Sequence, residues 1–430
     1  MNVELNAWTG TESAKGQLAS DSDDHGPDEV VREERKHLGV FEMEGWGVVL
    51  ADGAEVPESV QAVVDDRRGA VLRYVRSPDG RVKLRDTREG RIDLDLAGAP
   101  VGPMPGEIPR FLMIVGSPTE VPWALQYNLQ YRFKVGRLDL PPAGLDHYCQ
   151  ALLSGFGDEG ADANTALWSV SHGPSDITAL MKRTVAAQLA KRLRHFDKPL
   201  DWRSEADDAV ADEAQLLEQL ARQPRVIVTT SHGATPVHDA ATLAATLGMP
   251  VDQTGRTVTV PSDWEPRGAV WIAQACCSAG SEARSNLLPF LEAGTVAHDV
   301  VQGVAGLGDT TAPLPRDLLG RAKPLRGFIG QVEPTLDWTL QHPRSGANTA
   351  AGLTQPILAE LLGGGALGEI LDDWHRAAAV HLNEASKLKE ERDEYGMEVN
   401  DRLLTFLQLA AADRRTTVLL GDPAVVAVTA

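Results

Sequence analysis

The chain has 430 residues, 43% hydrophobic and 24% charged, with a formal net charge of −20 at pH 7. That length gives one large core or two domains, and the acidity argues against a nucleic-acid binder, whose phosphate contacts need a basic surface. No apolar run is long enough to span a membrane, the polar stretch Met1 to Ser20 lacks the pattern of a secretory signal, and three cysteines, two of them adjacent, cannot form a disulfide framework, so a reducing cytoplasm is the expected compartment.

Residues 1–36 are rich in Ser, Asp, Glu and Gly and predict a solvated, disordered acidic tail. A first portion, 37–160, reads as α/β or α+β. It starts near the apolar run at 41–50. Val71 to Val75 and Val82 to Leu84 flank Ser77-Pro78-Asp79-Gly80, a hairpin turn signal. Pro100 to Pro109 is a proline-rich loop. A strand follows at 111–115, an extended run at Tyr131 to Leu140, and a helix at about 143–155 whose spacing makes Cys149 a core residue.

The remainder, 161–430, alternates strands and helices, which argues for a mostly parallel sheet covered on both faces. Ala166 to Ser171 is a strand, Ser175 to Phe196 a helix with Asp176 near its start, and 205–218 opens another helix. The β-branched strand Arg225 to Thr230 runs into Ser231-His232-Gly233. Asp239 to Leu247 is a helix. The strand Ala269 to Ala273 runs into Gln274-Ala275-Cys276, and Glu282 to Ala293 is expected to be helical. Gly306 to Leu325 reads as a long loop. Gly327 to Glu333 is a strand and loop, Ile357 to Leu362 a short helix, Leu367 to about Ala412 strongly helical, and Thr417 to Leu420 a late strand.

Two strands that end in Gly233-preceding His232 and in Cys276 deliver a thiol and an imidazole to one edge of an open α/β sheet, where such folds build sites. A thiol at the carboxyl edge, followed by small residues, is placed as a nucleophile. An imidazole titrates near neutrality and serves as acid and base. Gly233 lets backbone approach closely. Cys277 is the rival thiol, but neighbours on a strand face opposite ways, so only one of the pair can enter the site. Ser171-His172-Gly173 repeats the His-Gly ending one strand earlier. Asp176, Asp299, Asp309 and Glu333 are acids that could select a basic substrate side chain. The sequence has no phosphate-binding Gly-x-x-x-x-Gly-Lys-Ser/Thr, no His-Glu-x-x-His, no Cys-x-x-Cys and no Gly-x-Ser-x-Gly.

Gln274-Ala275-Cys276, with His232 44 positions before the cysteine, resembles the caspase-like cysteine peptidases, whose motif is Gln-Ala-Cys-x-Gly with an upstream His. The likeness is nearest to the bacterial CHAT and gingipain-like branch and covers roughly 105–427. Phe111 to Gly116 is similar to an early strand of that group, Gly327 to Glu333 to the strand after the nucleophile, and Leu420-Gly421-Asp422-Pro423 to its closing segment. The chain departs from the motif where Cys277, Ser278 and Ala279 separate Cys276 from Gly280. The resemblance implies a caspase-like α/β sandwich over 161–430 and a cysteine endopeptidase in which Cys276 attacks and His232 moves the protons. It also implies an oxyanion hole from the Gly233 and Cys276 amides and a substrate pocket lined by Gln274, Asp176 and His172.

No metal or organic cofactor is expected for this chemistry, although calcium activates some relatives. The expected partners are a protein or peptide substrate and an activating protein, with no nucleic acid and no membrane. Bacterial members act in antiviral defence or cell death. An Arg preference is expected from the acids, with self-cleavage between Arg316 and Arg326 in the basic loop. The rival readings are a non-catalytic scaffold of the same fold and an amidase or other acyl-transfer enzyme with the same dyad.

Overall fold

The computed structural model describes residues 44–77, 80–157, 164–206, 209–335, 339–342, 346–350 and 364–426. The acidic tail and the short helix expected at Ile357 to Leu362 lie outside them. Twelve strands form the main sheet. They are β1 (Trp46–Ala51), β2 (Ala70–Arg76), β3 (Val82–Asp86), β4 (Ile92–Asp95), β5 (Phe111–Val115), β6 (Lys134–Leu138), β7 (Thr165–Ser169), β8 (Leu200–Asp201), β9 (Val226–Thr230), β10 (Val270–Gln274), β11 (Gly327–Gln331) and β12 (Thr417–Gly421). Their spatial order is β4-β3-β2-β1-β5-β6-β12-β11-β10-β9-β7-β8. Apart from the two hairpin strands β3 and β4, the neighbours are parallel except at one seam, where β12 runs antiparallel to β11.

The architecture is thus α/β with a large, mostly parallel sheet. Strands of such sheets are buried on both faces and read as unbroken apolar runs, which is why β5, β9, β10 and β12 are visible in the sequence. Alternate residues feed two layers. Trp168, Ile227, Trp271 and Phe328 point into one layer with the helices Pro142–Ser154, Glu213–Leu220 and Pro313–Gly320. Leu167, Val228, Ile272 and Ile329 point into the other, against Ala187–His195 and Trp374 of the helix Asp372–Asp393.

β12 wedges between the early strand β6 and the late strand β11. Gly136 makes this possible, since a Cβ there would overlap the Gly421 carbonyl oxygen. Just past β12, the fully buried Asp422 accepts the Trp46 indole N–H at 3.0 Å and pairs with Arg67. Its backbone N–H donates to the Tyr148 hydroxyl at 2.8 Å, which in turn donates to the Arg326 carbonyl at 2.5 Å. One residue, through its carboxylate and its backbone N–H, therefore ties together β1, the helix Pro142–Ser154 and the entry to β11.

The expected long loop at Gly306 to Leu325 is instead ordered. It holds a short strand, Thr310–Thr311, and the helix Pro313–Gly320. Prolines at its start are compatible with a first helical turn, whose N–H groups lack partners anyway. The three arginines have side-chain partners. Arg316 donates to the Asp139 carbonyl, Arg321 pairs with Asp317 and reaches the Pro261 and Trp264 carbonyls, and Arg326 is 2% exposed and donates to the Val426 carbonyl. The folded helix and the burial of Arg321 and Arg326 do not fit the expected self-cleavage loop, although Arg316 and Lys323 are exposed. The helix expected at Glu282 to Ala293 is only a 3₁₀ turn, Leu288–Phe290, with the true helix at Val296–Ala305. The helix after β7 runs from Ile177 to His195 through a π-turn at Lys182–Ala186. The Asn348 side chain donates to the Thr184 carbonyl within that turn, at 3.2 Å.

Candidate active site

β7, β9 and β10 stop level with one another, because Ser169 pairs with Thr230 and Thr230 with Gln274. His232 and Cys276 each stand two residues beyond that line, on adjacent parallel strands. The Ser231 N–H donates to the Gln274 carbonyl at 3.3 Å and continues the pairing toward them. His232–Gly233 then turns into a short antiparallel ribbon with Pro250–Val251. Gly233 lies flat against the Cys276 backbone. A Cβ at this position would overlap the Cys276 carbonyl oxygen and sit 2.9 Å from its carbon. Glycine is needed here for closeness, and closeness is what seats the imidazole strand beside the thiol.

Cys276 is 3% exposed. Its Sγ accepts the Thr335 N–H at 3.4 Å. Burial pushes the thiol up to about 11, although the N–H groups of Thr335, Cys276 and Gly233 all favour the thiolate; Asp413 adds to the rise. The two amides expected to hold an oxyanion are thus turned toward the sulfur.

Cys277 is fully buried and lies just past the end of β10, so strand alternation is not what separates it from Cys276. It adopts φ 56°, in the left-handed region, and its N–H donates to the Glu333 carbonyl at 3.3 Å. The turn is held by Glu333, and the second thiol is buried in the same apolar cluster as Cys276, with Leu243, Leu247 and Val304. Burial raises its pKa well above the ordinary value.

Asp176, expected to line the pocket, stands beside His232. It caps the helix Ile177–Met181, with Oδ1 accepting the Thr178 N–H at 2.8 Å and its hydroxyl at 2.5 Å. Its Oδ2 lies 3.0 Å from His232 Nε2. Burial works against ionisation of this carboxyl, but the bonds from His232 and Thr178 outweigh it and hold it below the usual carboxylate range. An Nε2–H directed at Asp176 leaves the lone pair of a neutral imidazole on Nδ1. His172 lies alongside, its ring 5.3 Å from that of His232 and 35° from parallel, and burial followed by the neighbouring His232 lowers its pKa.

The other acids stand elsewhere. Asp299 is exposed beside His298, Asp309 accepts the Ala283 N–H at 2.7 Å, and the buried Glu333 accepts the Asn286 N–H at 3.2 Å. Gln274 is 4% exposed at the end of β10. Sequence reasoning missed Thr335, because a backbone N–H 59 positions from the thiol leaves no residue-type signal. Among the described residues no group of three or more His, Cys, Asp or Glu is arranged to hold a metal ion, and no helix is long and apolar enough to cross a membrane.

The arrangement presents a thiol, an imidazole and a carboxylate in sequence at the carboxyl edge of three adjacent strands, with backbone N–H groups at the sulfur. In comparisons with protein-family models, with curated proteins and with solved structures, nothing matches this chain.

Proposed function

We propose that the chain is a caspase-like cysteine endopeptidase of the CHAT and gingipain-like kind, acting in the cytoplasm and cutting after a basic residue. The observation that carries the reading is the level placement of Cys276 and His232 on neighbouring strands, with Asp176 on the far ring nitrogen. The mostly parallel sheet supports it, since open α/β sheets bind ligands at their carboxyl edges.

In the reaction, the Cys276 thiol passes its proton to His232 and its sulfur bonds to the scissile carbonyl carbon. The Gly233 and Cys276 amides face the resulting oxyanion. The carbon–nitrogen bond then breaks as His232 returns the proton to the leaving amine. Water, deprotonated by the same imidazole, cleaves the thioester and restores the thiol. Asp176 holds the ring so that one nitrogen always faces the chemistry. The Thr335 segment covers the sulfur in this state, so substrate entry requires it to move aside. An activating partner and a role in bacterial defence belong to the same proposal.

The near-complete burial of Cys276 also favours a second reading, a scaffold that binds partners without turnover. A thiol-directed electrophilic probe and a peptide library separate the two. The endopeptidase reading expects labelling at Cys276 and library cleavage that Cys276→Ala and His232→Ala both abolish. Labelling without cleavage supports the scaffold.

A further inference from the structure

Two strands of the sheet run into Ser-His-Gly, and the dyad uses only the second of these endings. The first, Ser171-His172-Gly173, follows β7. Gly173 has φ 116°, a conformation that glycine adopts without strain, and its carbonyl accepts the Asp176 N–H at 3.1 Å. The chain turns back here, which returns Asp176 and Thr178 to the side of His172.

Thr178 stands at the centre of the contacts that result. It is fully buried, so water does not take its place. Its hydroxyl accepts the His172 N–H at 3.0 Å and donates to Asp176 Oδ1 at 2.5 Å. An N–H can only donate and an ionised carboxylate can only accept, so both roles of the hydroxyl are fixed. The same Oδ1 accepts the Thr178 N–H at 2.8 Å, which leaves Oδ2 to His232 Nε2 at 3.0 Å. The His172 ring then lies 5.3 Å from the His232 ring. The contacts close on themselves, from His232 to Asp176, to Thr178, to His172 and back to His232. On the same helical turn, Ile177 and Met181 pack with Val185, Leu340 and Ala350, which anchors the backbone that carries the hydroxyl.

We infer that Thr178 is a positioning residue for the dyad: its hydroxyl holds Asp176 on one side and His172 on the other, and through them fixes the plane of the His232 ring and keeps Nε2 on the carboxylate. The inference rests on the peptidase reading and adds to it a residue that touches neither substrate nor thiol. A helix cap at Asp176 requires only the Thr178 N–H. The hydroxyl and its bond from His172 are not part of that cap, and this separates positioning from a purely structural role.

Thr178→Val keeps the shape and the capping N–H and removes the hydroxyl. The expected result is a fall in kcat of about 10-fold or more with KM little changed, since no substrate contact is lost. Thr178→Ala removes the same hydroxyl without a branched side chain and carries the same expectation. Thr178→Ser restores the hydroxyl and should recover most of the rate. In an Asp176→Asn background, Thr178→Val should cost less than about 3-fold further, because the two residues act as one unit. Iodoacetamide alkylation, followed at Cys276 by peptide mass, reads the same set of variants without a substrate, since its rate depends on the thiolate and so on His232. Losses that multiply in the double variant, a Thr178→Ser protein as slow as Thr178→Val, or a Thr178→Val protein as fast as the parent overturns the inference, while cleavage by the parent leaves the peptidase reading standing. If the parent cleaves no peptide, the peptidase reading falls and alkylation decides the inference alone: equal rates for the parent and Thr178→Val overturn it, and a slower rate that Thr178→Ser restores supports it.

Discussion

Asp176 Oδ2 lies 3.0 Å from His232 Nε2, and the two residues are 56 positions apart in the chain. The carboxylate serves two masters, a helix N-terminus and an imidazole, so the first turn after β7 and the ring after β9 are fixed by one side chain. Such a carboxylate orients a base without touching the reacting atoms.

Asp176→Asn should therefore lower kcat/KM by about 10²-fold or more, because an amide can donate to Nε2 and put the proton on the wrong nitrogen. The helix cap survives, since Asn caps as well as Asp. The folded carboxyl titrates below its unfolded value, so its stabilisation is present above about pH 4 and fades as pH falls through the lowered folded value. Unfolding titrations should show Asp176→Asn less stable by about 1–2 kcal/mol at pH 7 and the gap closing in acid. An equal deficit at pH 3 and pH 7 would contradict the pairing.

The two adjacent thiols should behave differently. Cys276→Ala removes turnover, whereas Cys277→Ala keeps most of it, because the left-handed turn and the Glu333 carbonyl direct the second thiol into the core. Cys277→Ala should cost about 1 kcal/mol of stability, a small loss of buried volume. Steady-state kinetics and thermal melts on the two variants check this. Loss of turnover in Cys277→Ala alone reverses the assignment.

Gly233→Ala tests the close approach of the two strand ends. The added methyl would overlap the Cys276 carbonyl, so backbone must shift. The expected outcome is a loss of at least about 2 kcal/mol together with a fall in kcat/KM, read by denaturant titration and peptide assay. A variant as stable and active as the parent would mean that the strands are not in contact at Gly233.

Glu282 gives a prediction of opposite sign to Asp176. Burial, reinforced by Glu333, raises its carboxyl from 4.5 to about 7. The stability tied to this group is full below the unfolded value and is lost as pH rises through the folded one. Glu282→Gln should therefore stabilise the protein at pH 8 by about 1–3 kcal/mol, with the benefit vanishing near pH 4. Calorimetry at the two pH values settles the sign.

The strands carrying Cys276 and His232 were legible because doubly buried parallel strands are written as short apolar runs, and because Gly233 and Cys276 mark where those runs end. The level register of the two was not legible, since it is set by pairing between chains of residues far apart. Asp176 was singled out as an acid, but its partner is fixed through space and no local pattern names it. The helix Pro313–Gly320 was hidden by its prolines, which suit a first turn as well as a loop. The polar row of Ser169, Thr230, Gln274 and Gln331 needs the sheet before it can be seen, because each residue alone is an ordinary polar strand end.

The wedging of β12 between β6 and β11 has a consequence for biosynthesis. At about 5–20 residues per second on the ribosome, roughly 15–60 s pass between the making of β6 and of β12. For about the last 4–17 s of that time, once β11 has been made, two half-sheets, one of them carrying the thiol and the imidazole, lack the strand that lies between them. Joining the sheet has to wait for the segment ending at Gly421. A nascent chain stalled before that point would hold Cys276 and His232 and lack the strand that joins the two halves of the sheet, so under the peptidase reading the making of β12 is the first gate on activity.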